Sequence, residues 1–325
     1  MSKDLVSETK FTAFFQEKQT MKKTVLVTGA TGFIGSQLVK HLIEHNYQVI
    51  ILKRSFSDPK RIQDCLSQIT AYDIDRCHIE KPFQDFGKID AVVHTATATG
   101  RFKESLIDIF ETNTEFPLNL LKVAKDYQTT IFINTDTYVN KSNIPYQELG
   151  SYSLSKKHFQ QWGEQIALSH HNIEFLNVRL EYVFGVGDYR NKLIPLAIEQ
   201  FLSNAAELKF TSGEQQRDFI HVEDVVSAYH LLLEKESEPS RYYQEYEVGT
   251  GQAISLRQLI EMLKEIMQVQ TELKFGALPQ RPGEIMFSQA DTTAMEEIGW
   301  HPAKSLKERL MQTIEGEQIL KEQAG

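Results

Sequence analysis

Tyr152 and Lys156 stand four residues apart in Tyr152-Ser-Leu-Ser-Lys156, so on a helix they share one face. The chemistry open to such a pair is proton transfer. A free phenol has a pKa of about 10 and is a poor base at neutral pH, whereas a nearby cation favours phenolate and lowers that value. A phenol poised in this way gives a proton to an oxygen becoming an alkoxide, or takes one from an alcohol. The string alone is common on solvated helix faces, so its meaning depends on its surroundings.

The second constellation is Gly29-Ala-Thr-Gly32-Phe-Ile-Gly35, set between the apolar run Thr24–Thr28 and residues Phe33, Ile34, Leu38, Leu42 and Ile43 at helical spacing. Gly29 permits a tight turn, Gly32 lets a pyrophosphate approach the backbone, and Gly35 lets the helix pack on the strand. The helix N-terminus offers free N–H groups and partial positive charge to phosphate. Thr31, Phe33 and Ile34 complete the candidate dinucleotide turn. The end of the next strand selects the dinucleotide. An acid there suits the ribose 2′-OH of NAD, but this chain has Lys53-Arg54-Ser55, which suits the 2′-phosphate of NADP(H).

The elements that must position these groups alternate. Strands are expected at Thr24–Thr28, Gln48–Leu52, Gln68–Tyr72, Ala91–His94, Thr130–Asn134 and Glu174–Arg179, with helical stretches at Glu104–Asp126 and Tyr152–Ser169. This rhythm predicts an α/β fold, a doubly wound parallel Rossmann sheet with a smaller C-terminal substrate-binding lobe. Residues 1–20 read as an extension and 21–180 as the NADP-binding domain, to which 215–248 returns. Residues 181–214 and 249–325 read as the lobe.

Composition bounds the function. In 325 residues, 41% are hydrophobic and 24% charged, which are ordinary globular values. A net charge of −9 gives no global drive toward nucleic acid or anionic lipid, so an anionic substrate needs a local basic site. Cys65 and Cys77 make no disulfide framework and fit a reducing, cytoplasmic setting. No apolar run reaches membrane-span length, and the mixed N-terminal segment lacks the apolar centre of a secretory signal.

With the glycine turn and Tyr152-Ser-Leu-Ser-Lys156 together, the chain resembles the extended short-chain dehydrogenase/reductases, many of which act on nucleotide sugars. The likeness runs from Thr24 to about Ile314. Asp73-Ile74 matches the family's adenine-side pair, His94-Thr95-Ala96 its strand-four motif, and Asn113 the asparagine of the following helix. Arg217-Asp-Phe-Ile-His-Val222 with Asp224 matches the late motif, and Asp291 through Gly299-Trp300-His-Pro302 the C-terminal signature. The resemblance implies that Thr135 hydrogen-bonds the reacting oxygen, that Tyr152 is the acid, and that Lys156 also holds the nicotinamide ribose. It implies that Arg217, Arg281 and Glu284 face the substrate nucleotide, with Thr97, Asp136, Thr137, Arg179 and Tyr182 completing the substrate side. It also implies a homodimer built on the two long helices, with Leu106, Ile109, Phe110, Phe159 and Trp162 as its apolar supply. No metal is implied.

The departures narrow the reaction. The family's sugar 4,6-dehydratases carry Asp-Glu after the threonine, and this chain has Asp136-Thr137. The family's Val-Tyr-Gly becomes Tyr138-Val-Asn140, and Tyr182 stands where an asparagine usually helps hold the diphosphate. With Lys53-Arg54, the missing glutamate favours an NADPH-dependent reductase of the 4-keto group of a nucleotide-linked deoxy sugar in surface-polysaccharide biosynthesis. CDP-4-dehydro-3,6-dideoxy-D-glucose is the specific substrate implied. A 4-epimerase with tightly held NAD and a non-catalytic NADP(H)-binding regulator are the alternatives.

Overall fold

The computed structural model describes residues 22–141, 149–235 and 241–324. The extension at 1–20 lies outside them. In chain order the elements are β1 (Thr24–Thr28), α1 (Phe33–Glu44), β2 (Gln48–Lys53), β3 (Thr70–Asp73), α2 (Lys81–Phe86), β4 (Ala91–His94), α3 (Leu106–Phe110), α4 (Phe116–Asp126), β5 (Ile131–Thr137), α5 (Gly150–His170) and β6 (Glu174–Leu180). There follow β7 (Tyr182–Phe184), α6 (Leu193–Leu202), β8 (Glu207–Lys209), β9 (Gln216–His221), α7 (Val222–Glu234), β10 (Tyr243–Val248), β11 (Ala253–Ser255), α8 (Leu256–Met267), β12 (Glu272–Lys274), β13 (Phe287–Ser288), α9 (Thr293–Glu297) and α10 (Leu306–Ala324).

Every residue of β1 is buried because it is an interior strand of a sheet covered by helices on both faces. The seven strands run β10-β6-β5-β4-β1-β2-β3, and each neighbouring pair is parallel. Strand order reverses between β1 and β4, where doubly wound sheets open a ligand crevice. One core on the α1–α7 side holds Leu38, Leu42, Val93, Ile133 and Tyr229. The core on the opposite face holds Leu26, Phe132, Phe159 and Phe175.

The lobe is built differently from expectation. β9 does not return to the large sheet: it pairs with β7, β11 and β13 in a four-stranded sheet. Strand alternation explains the placement. Phe219 points into the lobe core while its neighbour Ile220 packs in the main core, so β9 joins the two. The return begins at α7 and β10. Part of the expected lobe also crosses back, since Met295 and Trp300 belong to the main core.

The stretch expected as one helix at Glu104–Asp126 is interrupted by a π turn at Glu111–Glu115 between α3 and α4. α5 spans 21 residues. Among the described residues no helix is long and apolar enough to cross a membrane. Cys65 and Cys77 are unbridged.

Candidate active site

A cleft of about 920 Å³ opens above the C-terminal ends of the parallel strands. Its floor starts at the glycine turn. Gly29 has φ +67°, and a Cβ there would lie 2.6 Å from the Ala96 nitrogen, so only glycine fits. A Cβ on Gly35 would collide with the Gly29 carbonyl. At Gly32, which lines the cleft, a Cβ would meet only the Gly29 oxygen, at 3.1 Å. Gly32 is the N-cap of α1 and brings no side chain to the orphan N–H groups. An uncapped helix start facing an open cleft fits a pyrophosphate. Thr31, Phe33 and Ile34 line the same wall, and Thr95 Oγ1, donating to the Thr28 carbonyl at 2.7 Å, ties the β4 end and Ala96 to the turn.

At the far end of this wall Lys53, Arg54 and Ile74 line the cleft. Ser55 and Asp73 do not; the exposed Ser55 Oγ donates to Asp73 at 2.7 Å. Both cations have acidic neighbours, Lys53 at 3.8 Å from Asp73 and Arg54 at 3.7 Å from Asp75. Arg54 also lies 4.9 Å from the ring centre of Phe56, itself in the lining.

Asn113 likewise stands behind the wall. At 0% exposure in the π turn, it accepts from the Ala98 amide at 2.8 Å and donates to the Ala98 carbonyl at 2.7 Å and to Ser155 Oγ at 3.0 Å. It therefore fastens the loop after β4 to α5, one residue from Lys156. Thr97 lines the cleft and donates to the Asn113 side chain at 3.2 Å.

α5 brings Tyr152 and Lys156 to the cleft beside Thr135, Asp136 and Thr137 of β5. Lys156 Nζ donates to the Thr135 carbonyl at 2.8 Å. Burial pushes this ammonium down to about 8, against the opposing pull of Asp136. Tyr152 departs from expectation. Burial pushes its phenol up to about 12, although a hydrogen bond with Thr137 counters the rise. Burial therefore favours the neutral phenol here. The Thr135 hydroxyl pairs at 2.6 Å with the hydroxyl of Tyr229, a wholly buried residue of α7. Asp136 accepts from Asn140 at 2.7 Å and Asn177 at 3.1 Å, with Arg179 Nε at 3.6 Å.

The expected substrate cations are placed elsewhere. Arg179 lies among Asp136, Glu245 and Glu247, outside the cleft lining. Arg217 donates to the backbone carbonyls of Gln216 and Ile285 and does not line the cleft; its guanidinium carbon lies 5.8 Å from the ring centre of Tyr138, which does. Arg281 is exposed on the lobe, and Glu284 accepts from Gln215 at 3.1 Å and Gln280 at 3.0 Å; neither lines the cleft.

Tyr182 does line it, beneath Lys192, whose Nζ is 5.2 Å from the ring centre and 2.6 Å from Asp188. Arg101 and Lys192 are cleft cations that sequence reasoning missed. Both sit in loops without a motif. The only signal was the four-residue spacing of Asp188 and Lys192.

A doubly wound sheet with an uncapped glycine turn at its switch point and a Tyr–Lys pair on the helix after β5 defines an extended short-chain dehydrogenase/reductase. Residues 25–249 match the NAD dependent epimerase/dehydratase family, and the chain belongs to it. It is 38% identical over 287 residues to the CDP-abequose synthase of Salmonella typhimurium, covering 87% of this chain and 94% of that one. The solved UDP-glucose 4-epimerase of Thermotoga maritima with UDP-glucose is 26% identical, with a TM-score of 0.79 over 92% of this chain and 99% of that one. The UDP-glucuronic acid 4-epimerase of Bacillus cereus, in complex with UDP-glucuronic acid and NAD, shares the fold at 24% identity and a TM-score of 0.77, over 91% of this chain and 99% of that one.

Proposed function

We propose that the chain is an NADPH-dependent reductase of the 4-keto group of a nucleotide-linked deoxy sugar, with CDP-4-dehydro-3,6-dideoxy-D-glucose as its substrate. The observation that carries the reading is that Thr135, Tyr152 and Lys156 line the same cleft as the uncapped glycine turn and the Lys53-Arg54 cations. Burial raises the Tyr152 phenol, which keeps its proton available for the oxygen of a ketone being reduced. The likeness to a CDP-abequose synthase over most of both chains supports the sugar and the base.

The dinucleotide, when bound, supplies hydride to the carbonyl carbon. The N–H groups opening α1 and the cations Lys53 and Arg54 hold its phosphates, the latter two meeting the 2′-phosphate that NADH lacks. Lys156 holds the nicotinamide ribose. Tyr152 Oη gives its proton to the carbonyl oxygen, and the Thr135 hydroxyl steadies that oxygen as charge develops. Arg101 and Lys192 supply positive charge for a diphosphate, in place of Arg179. Asp136 stays within its own buried hydrogen bonds.

The same reading includes a homodimer. Leu106, Phe110 and Trp162 are exposed on α3 and α5, whereas Ile109 and Phe159 are spent inside the subunit. The T. maritima likeness favours a second reading, a 4-epimerase that retains NAD. NADPH oxidation against CDP-, dTDP-, UDP- and GDP-linked 4-keto sugars separates the two. Turnover of NADPH with a CDP-linked ketone supports the reductase. Its absence, with NAD carried through purification and interconversion of UDP-hexoses, overturns it.

A further inference from the structure

On the face of α1 away from the cleft, His41 and His45 lie one helical turn apart, and His230 of α7 packs against both. The rings of His41 and His45 stack at 3.9 Å between centres, inclined by 27°. His230 meets them edge-on at 4.9 and 4.4 Å. One ring nitrogen from each lies within 4.8 Å of the others. No part of the proposed reaction uses this cluster, since His41 is about 13 Å along α1 from Gly32 at 1.5 Å per residue. We propose that His41, His45 and His230 form a binding site for a divalent transition-metal ion of the zinc class, clamping α1 to α7.

Imidazole is a ligand suited to zinc, nickel, copper and cobalt, and two histidines at i and i+4 of a helix project onto one side. Zn–N distances of about 2.0–2.1 Å in a tetrahedron set ligand nitrogens roughly 3.3–3.4 Å apart. His41 Nε2 and His230 Nδ1 are 3.0 Å apart, so that pair opens by a few tenths of an ångström. His45 is exposed, and a ligand geometry asks for a rotation of its ring about its hydrogen bond to the His41 carbonyl.

The surroundings already prepare the ligand forms. His45 Nδ1 donates to the His41 carbonyl at 2.8 Å, which leaves the Nε2 lone pair available. Glu234, which accepts from the Tyr47 hydroxyl and pairs with Lys23 at 3.2 Å, places a carboxylate one turn beyond His230. Three protein ligands leave a fourth position to water, as in an open zinc site.

The test uses the untagged full chain, stripped with a chelator and titrated with Zn²⁺ by calorimetry and with Co²⁺ by visible absorption. Saturable binding of a single ion in the micromolar range is expected, with tetrahedral Co²⁺ bands and a rise in melting temperature on Zn²⁺ addition. His45→Gln, at an exposed position, and His230→Gln should each weaken binding by more than the roughly 10–100-fold typical of outer-shell changes. His301→Gln, a surface histidine elsewhere, should leave it unchanged. Circular dichroism establishes that each variant is folded. Absence of saturable binding in the parent chain overturns the assignment, as does binding that survives both His45→Gln and His230→Gln.

Discussion

Removing the hydroxyl of Tyr229 should slow the reaction although that residue never meets the substrate. Its oxygen is 2.6 Å from Thr135 Oγ1. Each hydroxyl has one proton, so if Tyr229 donates, the Thr135 proton is free to point into the cleft at the reacting oxygen. Tyr229→Phe keeps the buried ring and deletes that orienting bond. A neutral hydrogen bond contributes about 0.5–1.5 kcal/mol net, which sets a fall in kcat of roughly 2- to 12-fold. Thr135→Val acts on the same chain from the other end and strands the Tyr229 hydroxyl at 0% exposure, for about 1–3 kcal/mol of lost stability. Adding Tyr229→Phe to Thr135→Val should relieve that penalty and leave kcat where Thr135→Val put it. Steady-state NADPH oxidation, with urea unfolding in parallel, measures both halves. A Tyr229→Phe enzyme that lost stability but kept parental kcat would refute the relay, because the bond would then be only structural.

Four further outcomes follow from the site. Tyr152→Phe should lower kcat by roughly 10²–10⁴-fold with NADPH binding retained by fluorescence titration; near-parental turnover would remove this residue as the acid. Lys156 is a cation below about 8 and neutral above it, while Tyr152 stays protonated to about 12, so kcat/KM should decline as pH rises through about 8. That limb should vanish in Lys156→Met; a profile flat to higher pH would contradict the need for the cation. Lys53→Asp should cut the preference for NADPH over NADH by roughly 5- to 10-fold, since a part-exposed charged contact is worth about 1 kcal/mol. Equal kcat/KM for both cofactors in the parent would sink the assignment of the 2′-phosphate site. Trp162→Glu should convert a dimer to monomer by light scattering, and a monomeric parent at micromolar concentration would count against the interface.

The parts of the site legible in the sequence are those whose chemistry is local. The glycine turn works through its own φ angles and the helix it opens, and Tyr152 and Lys156 are aligned by a single turn of α5. What was not legible depends on partners far along the chain. Arg179 reads as a substrate cation until β10 pairs with β6 and sets Glu245 and Glu247 beside it. Thr135 reads as the substrate's hydroxyl until α7 delivers Tyr229 from 94 residues away. The rise in the Tyr152 pKa has the same origin. The helical spacing to Lys156 was visible, but the burial that raises the phenol comes from the assembled cleft.

Trimming one residue from the π turn at Glu111–Glu115 would give a regular helix, and by local propensity alone the shortened chain would look improved. The deletion would rotate everything before it by about 100° relative to α4. Asn113 would swing off the Ala98 amide and Ser155, and Ile109 would leave its buried position. The extra residue is therefore a ratchet. Once the loop after β4 and the start of α5 are fastened to it, a deletion within the turn breaks both fastenings at once. Length variation among descendants of this chain is expected on either side of the turn, and not within it.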